Sequence, residues 1–106
     1  MDNQHRKIVG YRELSQEDID LMNRIKAKGA ELLALQVELV ELIAKQKGDK
    51  ISEIYCSPNV TFADIADREY NLINAAEPFR WAAIGKKDIQ TGVMALVRAV
   101  AQPTDV

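Results

Sequence analysis

The amino-acid sequence predicts an all-α chain. A long N-terminal helix and a C-terminal helix form an antiparallel hairpin, with a short extra helix between them, and the hairpins assemble into a homo-oligomeric helical bundle. Three observations carry this reading. Apolar residues from Met22 to Ile43 recur at alternating intervals of three and four, the seam spacing of packed helices. Ser15 stands before that stretch and Gly48 behind it, as a start and a stop signal. Pro78 and Pro103 bracket a second helical pattern near the C-terminus.

Residues 1 to 14 form an N-terminal arm, whose first ten residues are polar apart from Ile8-Val9-Gly10. The long helix spans residues 15 to 47. Ser15 is its N-cap, and Glu17, Asp18 and Asp20 place carboxylates at the positive end of the helix dipole. Asp18 holds the third helical position of a capping-box pattern. Lysines in "KQKGDK" and Gly48 mark the other end. A helix of about 31 residues is roughly 47 Å long, whereas a chain of 106 residues has an expected radius of gyration of only about 13 Å. Other copies of the chain are expected to cover it. The alternative is a helix buried by the rest of its own chain.

The seam of this helix is Met22, Ile25, Gly29, Leu32, Gln36, Leu39 and Ile43. Gln36 is a polar interruption of the kind that fixes register or oligomeric state. Leu33, Leu35, Val40 and Leu42 widen the apolar face enough for more than one neighbouring helix. Residues 49 to 60, "DKISEIYCSPNV", read as a loop punctuated by Ser57-Pro58-Asn59. Thr61 caps a short helix over 61 to 76, with Phe62, Ile65, Ala66, Leu72 and Ile73 as its apolar side. The last helix covers 79 to 101, with Trp81, Ile84, Ile89, Val93, Leu96, Val97 and Val100 apolar. Gly85 and Gly92 each cost about 1 kcal/mol relative to alanine inside a helix. They point to close helix approach, or to room for a ligand.

Composition narrows the function. The chain reads as a single domain with a limited private core. Its net charge of −2 gives no reason to expect duplex nucleic acid as the partner. No apolar run reaches membrane-spanning length, and "MDNQHRK" lacks the apolar core of a signal peptide. The lone Cys56 leaves no internal disulfide and fits a reducing cytosol. His5 and Cys56 are far apart in sequence and offer no metal set. No Gly-rich loop precedes a lysine, and Cys56 has no identifiable base. Asp64 and Asp67 read as a solvated helix face. The chain is not expected to be an enzyme.

Binding has better material. Lys26 lies about 40° from Met22 and about 60° from Gly29 on the helical wheel, where a long side chain reaches toward a partner helix. Lys28 flanks the seam on the other side. Lys26 could equally answer a neighbouring carboxylate in solvent. Tyr11, just ahead of the helix, can stack on a flat ligand or pack on the first turn. Lys87, Thr91 and Arg98 share one stripe of the last helix, with Arg80 on the same side. Such a stripe takes phosphate or faces water.

Two segments, "HRKIVGYRELSQEDIDLMNRIKAKG" and "RWAAIGKKDIQTGVMALVRAVAQP", resemble the signature segments of the small phage-encoded anti-CBASS sponge family. Members of that family sequester the cyclic oligonucleotide signals of bacterial immunity. The resemblance covers residues 5 to 29 and 80 to 103. Residues 46 to 78 look longer than the family's usual connection, which makes the short helix an insertion. Thr91 and Val93 stand where the family pattern has a glutamine and a phenylalanine. The resemblance implies a homo-hexamer in the host bacterial cytoplasm and noncatalytic binding of cyclic dinucleotides such as cGAMP between subunits. Tyr11 and Lys26 fall on the matching positions. Some members also bind cyclic trinucleotides at separate sites where three subunits meet, for which Arg80 is the candidate here, and the resemblance implies no metal or cofactor. The rival readings are a helical DNA-binding regulator and a purely structural oligomer.

Overall fold

The structure, a computed structural model, describes residues 13 to 103. Three helices account for nearly all of them: α1 (Gln16–Tyr55), α2 (Val60–Ala76) and α3 (Pro78–Ala101). No strand occurs among the described residues, and α1 and α3 form the expected hairpin. The described chain falls into two compact units. One joins the start of α1, through Leu33, to α3 from Lys87 onward; the other is Ala34–Lys86.

The start of α1 follows the sequence closely. The Ser15 backbone N–H donates to Asp18 Oδ2 at 3.0 Å, and the Asp18 N–H donates to Ser15 Oγ at 3.2 Å. Two otherwise unmatched donors are satisfied reciprocally, which is the capping box expected there.

The end of α1 is a correction. The helix does not stop at residue 47 but runs through Gly48 to Tyr55, so most of the expected loop over 49 to 60 is helical. Gly48 sits exposed in mid-helix, where it costs about 1 kcal/mol. Lys45 pairs with Asp49 across it at 2.9 Å, and Lys50 pairs with Glu53 at 3.2 Å. Lys50 also reaches Glu69 on α2. Lys47 lies over the rings of Phe79, at 4.9 Å, and Tyr70, at 5.9 Å. Tertiary partners therefore carry the helix past the glycine. The stop signal was local, and the contacts that overrule it come from α2 and α3.

The cap of α2 also moves. Asn59, not Thr61, is the N-cap: its backbone is extended and its Oδ1 accepts from the Phe62 N–H at 2.8 Å. The helix ends at Glu77, in the left-handed region at φ 52°, with its N–H on the Asn74 carbonyl. Pro78 follows at the first position of α3, where a missing N–H costs nothing.

Inside the unit Ala34–Lys86, Ile43, Ala66 and Ala82 are buried. Gln36 is half-buried and its Nε2 donates to the Ala82 carbonyl at 3.1 Å. The amide expected to act between subunits is thus engaged within its own chain. The seam residue Ile43 is likewise covered internally, whereas Leu35, Leu39 and Leu42 stay 46–58% exposed. In the other unit Ala101 is buried, and Met22, Ile25, Val93, Val97 and Val100 are half-buried. Gly29 is buried and is the close approach between α1 and α3. A β-carbon there would stand 2.5 Å from Val93 Cγ2. At Gly85 and Gly92, where the sequence suggested such an approach, an added β-carbon would meet nothing within 4 Å.

Candidate functional site

The Gly29–Val93 contact has a groove on each side. One has a volume of about 470 Å³ and is lined by Lys26, Gly29, Ala30 and Leu33 of α1 with Gln90, Val93 and Met94 of α3. The α1 residues recur at three- and four-residue steps, and Gln90, Val93 and Met94 do the same, so each helix turns one face to the groove. The floor is apolar. Lys26 and Gln90 are its polar side chains, and both are exposed.

Lys26 makes no ion pair or hydrogen bond among the described residues. Lys28, two residues on, pairs with Glu31 at 3.4 Å. The contrast follows from the spacing, since Glu31 lies three residues after Lys28, whereas the positions three and four after Lys26 are Gly29 and Ala30, which carry no charge. An ammonium at the edge of an apolar groove, without a carboxylate, is suited to an anion carrying a flat apolar body. Lys28 belongs to the second, larger groove of about 550 Å³, where Leu21, Ile25, Leu32, Ile89 and Leu96 make the lining mostly apolar.

The remaining site residues expected from the sequence are placed as follows. Tyr11 lies outside the described residues. Lys87, Thr91 and Arg98 are all on α3 in the same unit as Lys26, and all three are exposed. Arg98 sits in the last turn of α3, where a cation favours the negative end of the helix dipole. Arg80 is in the other unit; its Nη1 donates to Glu77 Oε2 at 3.3 Å and its guanidinium lies 5.4 Å from the Trp81 ring centre. Its charge is already partly answered. Gln90 and Met94 were not singled out from the sequence. A glutamine and a methionine on an exposed helix face are ordinary, and only the position of α3 against Gly29 brings them to Lys26.

No group of three or more potential metal ligands occurs among the described residues. Among the same residues, no helix is long and apolar enough to cross a membrane.

Residues 4–101 match the family described as the Acb2/Tad1 hairpin domain, and the matched span includes α2. The chain is 58% identical over 112 residues to a protein called Anti-CBASS protein 2, from Pseudomonas phage JBD67. The alignment covers 97% of this chain and 97% of that relative.

Proposed function

The chain belongs to the Acb2/Tad1 hairpin family, and from that premise we propose that it counters bacterial CBASS immunity as a noncatalytic sponge for cyclic oligonucleotides. The observation that carries the reading is the Lys26 ammonium, without a partner among the described residues, at the edge of an apolar groove. A cyclic dinucleotide is compact, bears two phosphates and exposes flat base faces. Lys26 answers a phosphate with a charge-assisted contact of about 1.5–3 kcal/mol. Tyr11, at the matching position of the family pattern, stacks on a base for roughly 1–3 kcal/mol.

The site works in the assembled protein. With most large apolar side chains more than a third exposed, the chain is completed by other copies of itself, as a hexamer in the host cytoplasm. A two-fold axis presents Lys26 and Tyr11 twice to a ligand that itself has two nucleotide halves. Depleting micromolar signals requires binding of about nanomolar strength, near 12 kcal/mol. Two lysines and two tyrosines supply a large share, and groove walls fixed on helices lower the ordering cost. Cyclic trinucleotides are the second ligand class, at a separate site using Arg80. Lys87, Thr91 and Arg98 form the further phosphate-facing stripe.

The test is calorimetric titration of the purified protein with a panel of cyclic di- and trinucleotides, followed by heat denaturation and chromatography of the released ligand. Tight binding with intact ligand recovered is expected. Altered ligand would mean an enzyme, and no binding would move the purely structural oligomer to the front.

A further inference from the structure

The groove beside Lys26 has a second polar end. Because α1 and α3 run antiparallel, Lys26 lies one helical turn to one side of the Gly29–Val93 contact and Gln90 one turn to the other. Six residues of helical rise separate them along the groove, roughly 9 Å. That is about the reach from a phosphate to the base edge of the same nucleotide. Between them lie Gly29, Val93 and Met94, an apolar floor on which a base or sugar can rest.

Gln90 is exposed, and its amide makes no hydrogen bond among the described residues. An amide offers a donor and an acceptor side by side. The N6 amino group and N7 of adenine present the complementary pair, whereas the corresponding edge of guanine presents two acceptors, O6 and N7, and leaves the amide carbonyl without a donor. We propose that Gln90 reads the base of the nucleotide whose phosphate Lys26 holds, and that it favours adenine over guanine. The inference rests on the sponge reading above and adds to it the residue that sets base preference.

The experiment compares cyclic di-AMP with cyclic di-GMP by titration calorimetry on the full chain, for the native protein, Gln90→Ala and Lys26→Ala. Alanine is the best helix former, and Gln90 is exposed, so the variant is expected to fold. The native protein should bind cyclic di-AMP more tightly. Gln90→Ala should weaken cyclic di-AMP binding by roughly ten-fold or more and erase the preference. Lys26→Ala should weaken both ligands by a similar factor. A Gln90→Ala variant that keeps the native ratio, or a native protein that favours cyclic di-GMP, would overturn the assignment while leaving the sponge standing. A native protein that binds neither of these nor any other cyclic oligonucleotide would overturn the sponge reading, and this inference with it.

Discussion

The Val93 Cγ2 methyl occupies the space that a β-carbon on Gly29 would need, 2.5 Å from where that carbon would stand. The contact lets α3 lie close against α1 and so sets the floor shared by both grooves. Alanine at 29 gains about 1 kcal/mol of helix propensity but overpacks the contact at a cost of about 1–3 kcal/mol. Gly29→Ala should therefore destabilise by up to about 2 kcal/mol in urea unfolding. The cost should shrink in a Val93→Ala background, with a coupling of at least about 0.5 kcal/mol. Strict additivity would mean that the methyl is not the obstacle. Gly92→Ala, which meets nothing within 4 Å, should be neutral or stabilising.

Gln36 behaves differently from the expectation its position in the seam raised. Its amide donates to the Ala82 carbonyl in the same chain, so Gln36→Leu removes a hydrogen bond worth about 1 kcal/mol and returns some apolar contact. Stability should change by no more than about 1 kcal/mol, and the mass by light scattering should be unchanged. A shift in mass would place Gln36 between subunits after all.

Local signals were read correctly where the chemistry is local. Ser15 and Asp18 form their box because both partners lie within one turn, and Pro78 opens α3 because the first helical position needs no N–H and suits its fixed φ. Gly48 misled because its stop signal is overruled by Glu69, Tyr70 and Phe79, residues about twenty or more positions away. Thr61 lost the cap to Asn59, two residues earlier and equally suited by type. The three-and-four rhythm identified a packing face but not its occupant, since a hairpin partner and a second copy demand the same spacing. Lys26 was legible beside the seam; Gln90 was not, because its meaning depends on which residue of α3 meets Gly29.

Lys50 ties the tail of α1 to α2. Its hydrogen bonds to Glu69 and then Glu53 hold its pKa above the ordinary 10.5. A lysine raised in the folded state contributes its full stabilisation below the unfolded value and loses it as the pH climbs through the folded one. The thermal midpoint of the native protein should therefore be insensitive to Lys50 ionisation up to about pH 10 and decline above it. Lys50→Met should melt lower at neutral pH, and the gap between the two proteins should close as the pH rises above 10.5. A gap that persists undiminished at high pH would assign the effect to packing of the lysine stem instead.

Leu35 and Leu42 are 58% and 51% exposed on the chain alone, on a helix whose seam is engaged internally at Gln36 and Ile43 but still exposed at Leu39. In an oligomer they are the natural interface. Leu35→Glu, alone or with Leu42→Glu, should lower the mass toward the 11.9 kDa of one chain while far-ultraviolet circular dichroism stays helical. An unchanged mass would take this face out of the interface.

Tyr11 and Lys26 should act on ligand and not on assembly. Lys26 is exposed and has no partner among the described residues, so its removal leaves no buried carboxylate behind. Lys26→Ala should weaken cyclic dinucleotide binding by roughly ten- to a hundred-fold, the equivalent of one charge-assisted contact, with the loss falling as salt rises. Tyr11→Ala should weaken it by a comparable factor that salt does not change, because stacking carries no net charge. The two salt responses separate the two roles even if the affinities fall alike. Light scattering should find both variants with the native mass. Full-strength binding by the double variant would remove both residues from the site.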